Sequence, residues 1–178
     1  MRVRRRDARE LSRLYNEHVR AVYGHFAYSV SPDVAEDLTS ATFERVIRAW
    51  HRYDPARASE RTWILTIATN VLRDHYRRQR FRAGPSLDQN PQLLGLLERA
   101  DSAAGPALPA TDLVRWLSHL SNRDRQVLAL RYAGDLDTEA IAQALGLSEP
   151  NVHQIISRSL RRLRAVAEEA QRQTLTGR

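Results

Sequence analysis

Apolar positions recur along most of the chain at three- and four-residue steps, the period of a helix buried along one face. Leu11, Leu14, Tyr15, Val22 and Phe26 make the first such stripe. Ser31-Pro32 offers an N-cap followed by proline at the first helical position, where a missing N–H costs little. Val34, Leu38, Thr42, Val46 and Trp50 then share one face of a second helix. Asp54-Pro55, within residues 51–58, marks a turn. Ser59 can cap a third helix carrying Ile64, Ile67, Ala68, Val71, Leu72 and Tyr76, which ends in the basic run Arg77-Arg78-Gln79-Arg80-Phe81-Arg82.

The pattern breaks beyond this run. Gly84, Pro85, Pro91, Gly95, Gly105, Pro106 and Pro109 give residues 83–110 the composition of a linker. Inside it Leu93, Leu94, Leu96 and Leu97 form an apolar knot, either a short docking helix or a sticky linker segment. Helical periodicity resumes near Thr111-Asp112, with Leu113, Trp116, Leu117 and Leu120 on one face. Ser121 followed by Asp124 resembles a cap with an acidic first turn. Val127, Leu128, Leu130 and Tyr132 continue the stripe until Gly134 breaks it. Alternating strand patterns are scarce. The expectation is therefore an all-α chain of two small helical domains, 1–82 and 111–170, joined by a flexible linker over 83–110 and followed by a tail over 171–178.

The strongest local signal lies between Glu139 and Leu163. A short helix with Ile141, Ala142 and Leu145 runs into Gly146-Leu147-Ser148 and then a longer helix, the pattern of a helix-turn-helix. Ala142 permits close helix approach, and Gly146 supplies the left-handed turn. Leu147 plugs the corner. Ser148 can cap the second helix, and Pro150 falls in its first turn. Val152, Ile156 and Leu160 are expected to pack inward. Asn151, His153, Gln154, Ser157 and Arg158 are left to face a major groove, where Asn, Gln and Arg read base edges. Arg161, Arg162 and Arg164 are placed to hold phosphates.

The charge agrees with such a partner. The formal net charge is +7, and all 28 basic residues are arginine. A surplus of that size favours a polyanion. Cysteine is absent, which excludes disulfides, cysteine-ligated zinc and thiol catalysis. No apolar run approaches the roughly 20 residues needed to span a bilayer, and no signal peptide is visible, so a soluble cytoplasmic protein is expected.

The first block sharpens the reading. Asp33-Val34-Ala35-Glu36-Asp37-Leu38-Thr39-Ser40-Ala41-Thr42-Phe43 resembles the acidic polymerase-docking helix of sigma domain two. Arg57 to Ser59, Arg61, Trp63, Ile67-Ala68, Asn70 and Asp74-His75-Tyr76-Arg77-Arg78 resemble that domain's promoter −10 segment in order and spacing. Leu113 to Leu163, with Arg123-Asp124-Arg125-Gln126-Val127 ahead of the helix-turn-helix, is similar to sigma domain four. Together the blocks resemble the extracytoplasmic-function (ECF) sigma factors of the sigma-70 superfamily.

That resemblance implies a set of roles. Glu36, Asp37, Leu38, Thr42 and Phe43 would dock on the clamp helices of the largest subunit of core RNA polymerase. Arg57, Arg61, Trp63, Asn70, Arg73, Asp74, His75, Arg77 and Arg78 would capture the melted −10 element. Asn151, His153, Gln154, Ser157, Arg158, Arg161 and Arg162 would read the −35 element, with domain four also touching the polymerase flap. The free protein would be a monomer, held inactive by a separate anti-sigma factor. Several positions depart from the family's habit: Ser40-Ala41 in place of Gln-Glu, Glu60 in place of an aromatic, Thr66, Thr69, His153 and Ile155 in place of basic residues, and Ser121 in place of proline.

Enzymatic readings find little support. The six histidines are scattered, with no His-Glu-x-x-His pair, so neither metal nor cofactor is expected. Glu36 and Asp37 point about 100° apart on a helix and make a poor acid–base couple. No phosphate-binding glycine loop or nucleophile elbow occurs. Two alternatives remain. A helix-turn-helix regulator would bind duplex operator DNA alone, usually as a dimer on a palindrome. A helical adaptor would bind only protein.

Overall fold

The structure is a computed structural model; it describes the backbone of residues 5–83 and 115–176, and side chains over 9–79 and 115–172. The leucine knot, Leu113 and the Thr111-Asp112 start lie outside the described residues. The described residues form helices joined by turns, without strands. In chain order they form α1 (Arg5–Ala27), α2 (Pro32–Ala49) with a 3-10 turn at Trp50–Arg52, and α3 (Glu60–Ala83). A helical turn at 115–118 precedes α4 (Asn122–Leu128), a π-helical turn (Ala129–Ala133), α5 (Thr138–Leu145) and α6 (Glu149–Thr176).

Local chemistry accounts for the boundaries. The Ser59 hydroxyl accepts the Thr62 N–H at 3.1 Å, capping α3. Ser121 caps α4 through the Asp124 N–H at 3.1 Å, and Asp137 caps α5 through the Ala140 N–H at 2.8 Å. Ser31 is the N-cap of α2, but its side chain makes no cap hydrogen bond; Pro32 sets the entry alone. Gly146 ends α5 in the left-handed region (φ 64°), where the corner of a helix-turn-helix needs it. Thr39, Thr42, Thr66 and Thr69 each return a hydroxyl proton to the carbonyl four residues back, so helices rich in threonine pack without orphaned donors.

α1, α2 and α3 pack on one another as the first unit, while α6 packs on α4 and α5 in the second. The two units do not stand apart. The π-helical turn lies on α1 and α5 lies on α3. Leu14, Val22, Phe26, Ile64, Leu65 and Leu72 share one continuous core with Val127, Leu130, Ile141 and Val152. A smaller cluster of Leu117, Leu120 and Leu128 receives Tyr28 from the end of α1 and Leu163 from α6.

The inward stripe of α6 differs from the expected one. Val152 (0%), Ile155 (3%) and Ser159 (1%) are buried, whereas Leu160 is 40% exposed. Four-residue steps drift ahead of a 3.6-residue turn, so by the second step the buried line has moved to Ser159.

Candidate docking groove and nucleic-acid interfaces

α2 turns Glu36, Asp37 and Ser40 outward, and all three are exposed. Leu38, Thr42 and Phe43 sit on its other side, at 9%, 0% and 6% exposure. The Thr42 hydroxyl is committed to the Leu38 carbonyl at 2.7 Å. These three therefore lie beneath the acidic face rather than on it. Beside that face lies an open groove of about 550 Å³ between α1 and α2. Its walls are Tyr15, Val19, Arg20 and Tyr23 from α1 and Glu36, Thr39 and Ser40 from α2. Tyr15, 47% exposed, lies over Phe43 with ring centroids 4.7 Å apart. Burial, with the nearby carboxylates of Glu36 and Asp33, raises the Tyr23 pKa above its ordinary value. The α1 wall is a contribution that sequence reasoning missed. Its only signal is spacing: Tyr15, Val19 and Tyr23 are four residues apart, and Tyr15 also falls in the apolar stripe of α1.

On α3 the −10 candidates divide. Arg73, Arg77 and Arg78 are exposed, as is Arg57 on the preceding turn, where it pairs with Asp54 at 3.5 Å. The Asn70 side-chain oxygen accepts a close hydrogen bond from Arg73. Asp74 holds two cations, Arg45 of α2 at 3.0 Å and Arg77 at 3.1 Å. The Asp74 carboxylate thus ties Arg77 of α3 to Arg45 of α2. His75 is half-buried; burial and then the charge of Arg78 lower its pKa. The Tyr76 hydroxyl donates to the Ser29 carbonyl at 3.0 Å, which ties that ring to the protein. Trp63 belongs to a three-ring group, 5.8 Å from Trp50 and 5.4 Å from Tyr53, while Trp50 and Tyr53 stack at 4.9 Å. Arg61 is turned elsewhere: its Nε donates to the Gly134 carbonyl at 2.6 Å, across the seam between the two units.

Glu60, at a position where the resemblance favours an aromatic, accepts two hydrogen bonds from Arg13, at 2.9 and 3.1 Å, with His18 3.7 Å away. The Arg13 hydrogen bond holds the Glu60 carboxyl below its usual range. Glu17, His18 and Glu60 bring ligand atoms within 4.8 Å of one another, but the Arg13 guanidinium already supplies the cation there.

The second helix of the helix-turn-helix presents its candidates together. Asn151, His153, Gln154, Ser157, Arg158, Arg161 and Arg162 are all exposed on α6. Arg158 is braced by Asp124 at 2.9 Å, linking α6 to α4.

Comparison with known proteins bears on both surfaces. Residues 14–82 match the family Sigma-70 region 2, and residues 116–165 match Sigma-70, region 4. The ECF RNA polymerase sigma factor SigL of Mycobacterium tuberculosis is 31% identical over 171 residues, covering 92% of both chains. SigM of Bacillus subtilis is 27% identical, covering 88% of this chain and 94% of its own. BldN of Streptomyces coelicolor is 28% identical over 88% of this chain, which spans 60% of its length. Two solved structures share the fold. The sigma factor RpoE in complex with the anti-sigma factor NepR from Bartonella quintana has a TM-score of 0.72 at 19% identity, covering 89% of this chain and 97% of RpoE. CnrH in complex with the cytosolic domain of CnrY has a TM-score of 0.64 at 21% identity, covering 91% and 90%. With region 2 carrying the groove and region 4 the helix-turn-helix, the chain belongs to the ECF RNA polymerase sigma factors, which direct core polymerase to promoters.

Proposed function

We propose that the groove between α1 and α2 is the docking site for the clamp helices of core RNA polymerase. Glu36 on its wall, with the exposed Asp37 next to it in α2, suits a basic-rimmed helix, and Tyr15 and Tyr23 supply amphipathic anchors of the kind that dominate interface energetics. Asn70, Arg73, Arg77, Arg78 and Arg57 bind the melted −10 strand, with Asp74 aligning Arg77 and Arg45. Cations along a single strand hold its backbone, and Asn70 offers an amide to an unstacked base. The exposed face of α6 from Asn151 to Arg162 enters the −35 major groove, while domain four meets the polymerase flap. Neither DNA contact has to be strong, because docking raises the effective concentration of both.

The observation that carries this reading is the coexistence, in one chain, of an open groove beside the exposed carboxylates Glu36 and Asp37 and an exposed, arginine-bearing face of α6. A regulator acting alone on duplex DNA has no use for the groove. RpoE is in complex with the anti-sigma factor NepR, and CnrH with the cytosolic domain of CnrY; we extend to this chain a regulator of the first kind, covering the groove. Among the described residues no helix is long and apolar enough to cross a membrane, and the site of action is the cytoplasm, beside the polymerase.

Run-off transcription with cognate core polymerase on sheared source DNA tests the assignment. The wild-type chain yields discrete new transcripts. Asp37→Arg abolishes them together with core binding, whereas Asn70→Ala abolishes them with core binding intact. Transcripts that survive both substitutions would refute the assigned surfaces.

A further inference from the structure

Polar groups collect in the interior where the end of α1, the second half of α3 and α4 meet. Arg125 of α4 is 2% exposed, and its Nη2 donates to the Asn122 side-chain oxygen. Its Nε and Nη1 have no hydrogen-bond partner. Ser29, two residues past α1, is 1% exposed, and its hydroxyl is likewise unpartnered. Two links bring these groups to one place. The Ser29 carbonyl accepts the Tyr76 hydroxyl of α3 at 3.0 Å, and Tyr76 in turn feels the Arg125 charge, which opposes the rise that burial gives the phenol pKa. Tyr28, the neighbour of Ser29, packs on the cluster that contains Leu128, one helical turn beyond Arg125.

The surrounding protein does not balance this charge. The neighbouring carboxylate, Asp124, is 8% exposed and already paired with Arg158 at 2.9 Å. Among the described residues no carboxylate acts on Arg125. Burial pushes the Arg125 pKa down, but a guanidinium does not give up its proton in a protein. Tyr76, its phenol pKa raised by burial, stays neutral and supplies no counter-charge. An unpaired buried cation is costly. A water molecule would satisfy the hydrogen bonds and leave the charge, whereas an anion answers both. The free groups of Arg125 are donors, and the Ser29 hydroxyl can donate as well. One positive charge matches one negative charge; a divalent ion would bring a second charge into the interior without a partner.

We propose that Arg125 and Ser29 form an internal binding site for a small monovalent anion, chloride being the simplest, with Tyr76 as its wall. The guanidinium supplies the charge and N–H donors, and the Ser29 hydroxyl adds a hydrogen bond. The site is separate from the groove, the −10 face and the exposed face of α6, and does not depend on their assignments.

Thermal unfolding of the full chain in sodium chloride and in sodium gluconate, at equal ionic strength, reads the site. Screening is the same in both salts, and gluconate is too large to enter. When chloride replaces gluconate, the wild-type Tm should rise by about 2–4 °C more than that of Arg125→Met. Ser29→Ala should fall between the two. Equal responses in wild type and Arg125→Met would assign the effect to the exposed arginines and overturn the proposal. Should Arg125→Met fail to fold, wild-type crystals grown in bromide decide the matter. An anomalous bromide peak within hydrogen-bond distance of the Arg125 guanidinium is expected, and a water molecule in that position would overturn the site.

Discussion

His25, in the last turn of α1, has no exposed surface and no hydrogen-bond partner, and burial lowers its pKa from 6.5 to about 4. A base with a depressed folded pKa is protonated more readily when unfolded, so the stability it leaves intact at neutral pH is lost as pH falls from 6.5 towards 4. Between pH 7.5 and pH 5 this group alone removes about 2 kcal/mol. Urea titrations should show that loss in the wild type and a smaller one in His25→Phe; an identical pH dependence would mean that His25 is not the group responsible. Tyr15 and Phe43 separate docking from support. Tyr15→Ala removes a ring that is 47% exposed, so it should weaken core polymerase binding about tenfold with little change in stability. Phe43→Ala opens a buried site and should cost about 3–5 kcal/mol of stability. Competition for core polymerase and denaturant unfolding, run on both variants, distinguish the two roles.

At the scale of the element, Gly146 carries the sharpest expectation. Nothing lies within 4 Å of a Cβ placed there, so Gly146→Ala introduces only left-handed backbone strain (φ 64°), worth about 1–2 kcal/mol. A comparable loss of about 1 kcal/mol is expected for Ser121→Ala, which deletes the α4 cap. Thermal unfolding checks both, and a neutral Gly146→Ala would contradict the turn geometry. These features were legible because capping and turn chemistry are local: Ser59, Ser121 and Gly146 each act on residues at most a few positions away. The α5 cap at Asp137 is equally local, its signal being an acidic side chain directly before Thr138. The buried line of α6 was legible only in part. Val152 belongs to it, but the choice between Ser159 and Leu160 depends on the phase of a 3.6-residue turn and on what α4 presents. The π-helical turn has no apolar signature; it shows itself only where the Gly134 N–H reaches back five residues to Ala129.

At the scale of the molecule, hydropathy marks two helical blocks but is silent on how they meet. Arg61 and Gly134 are 73 positions apart, and neither residue type singles out the other. The groove is similarly half-legible. Its acidic wall follows from the family-like run in α2, while its α1 wall arises only when the helices pair. Substituting Arg125 with methionine tests the energetics of the seam. An apolar side chain of similar length should leave the free chain as stable as the wild type or about 1–3 kcal/mol more so, as denaturant unfolding would show. The division of labour between groove, −10 face and reading helix is tested most directly by hydroxyl-radical footprinting on one mapped promoter, with and without core polymerase. Holoenzyme should protect both the −35 and −10 regions, and the free chain at the same concentration should protect neither. Strong protection of a duplex site by the free chain, unaltered by core polymerase or by Asp37→Arg, would contradict the account.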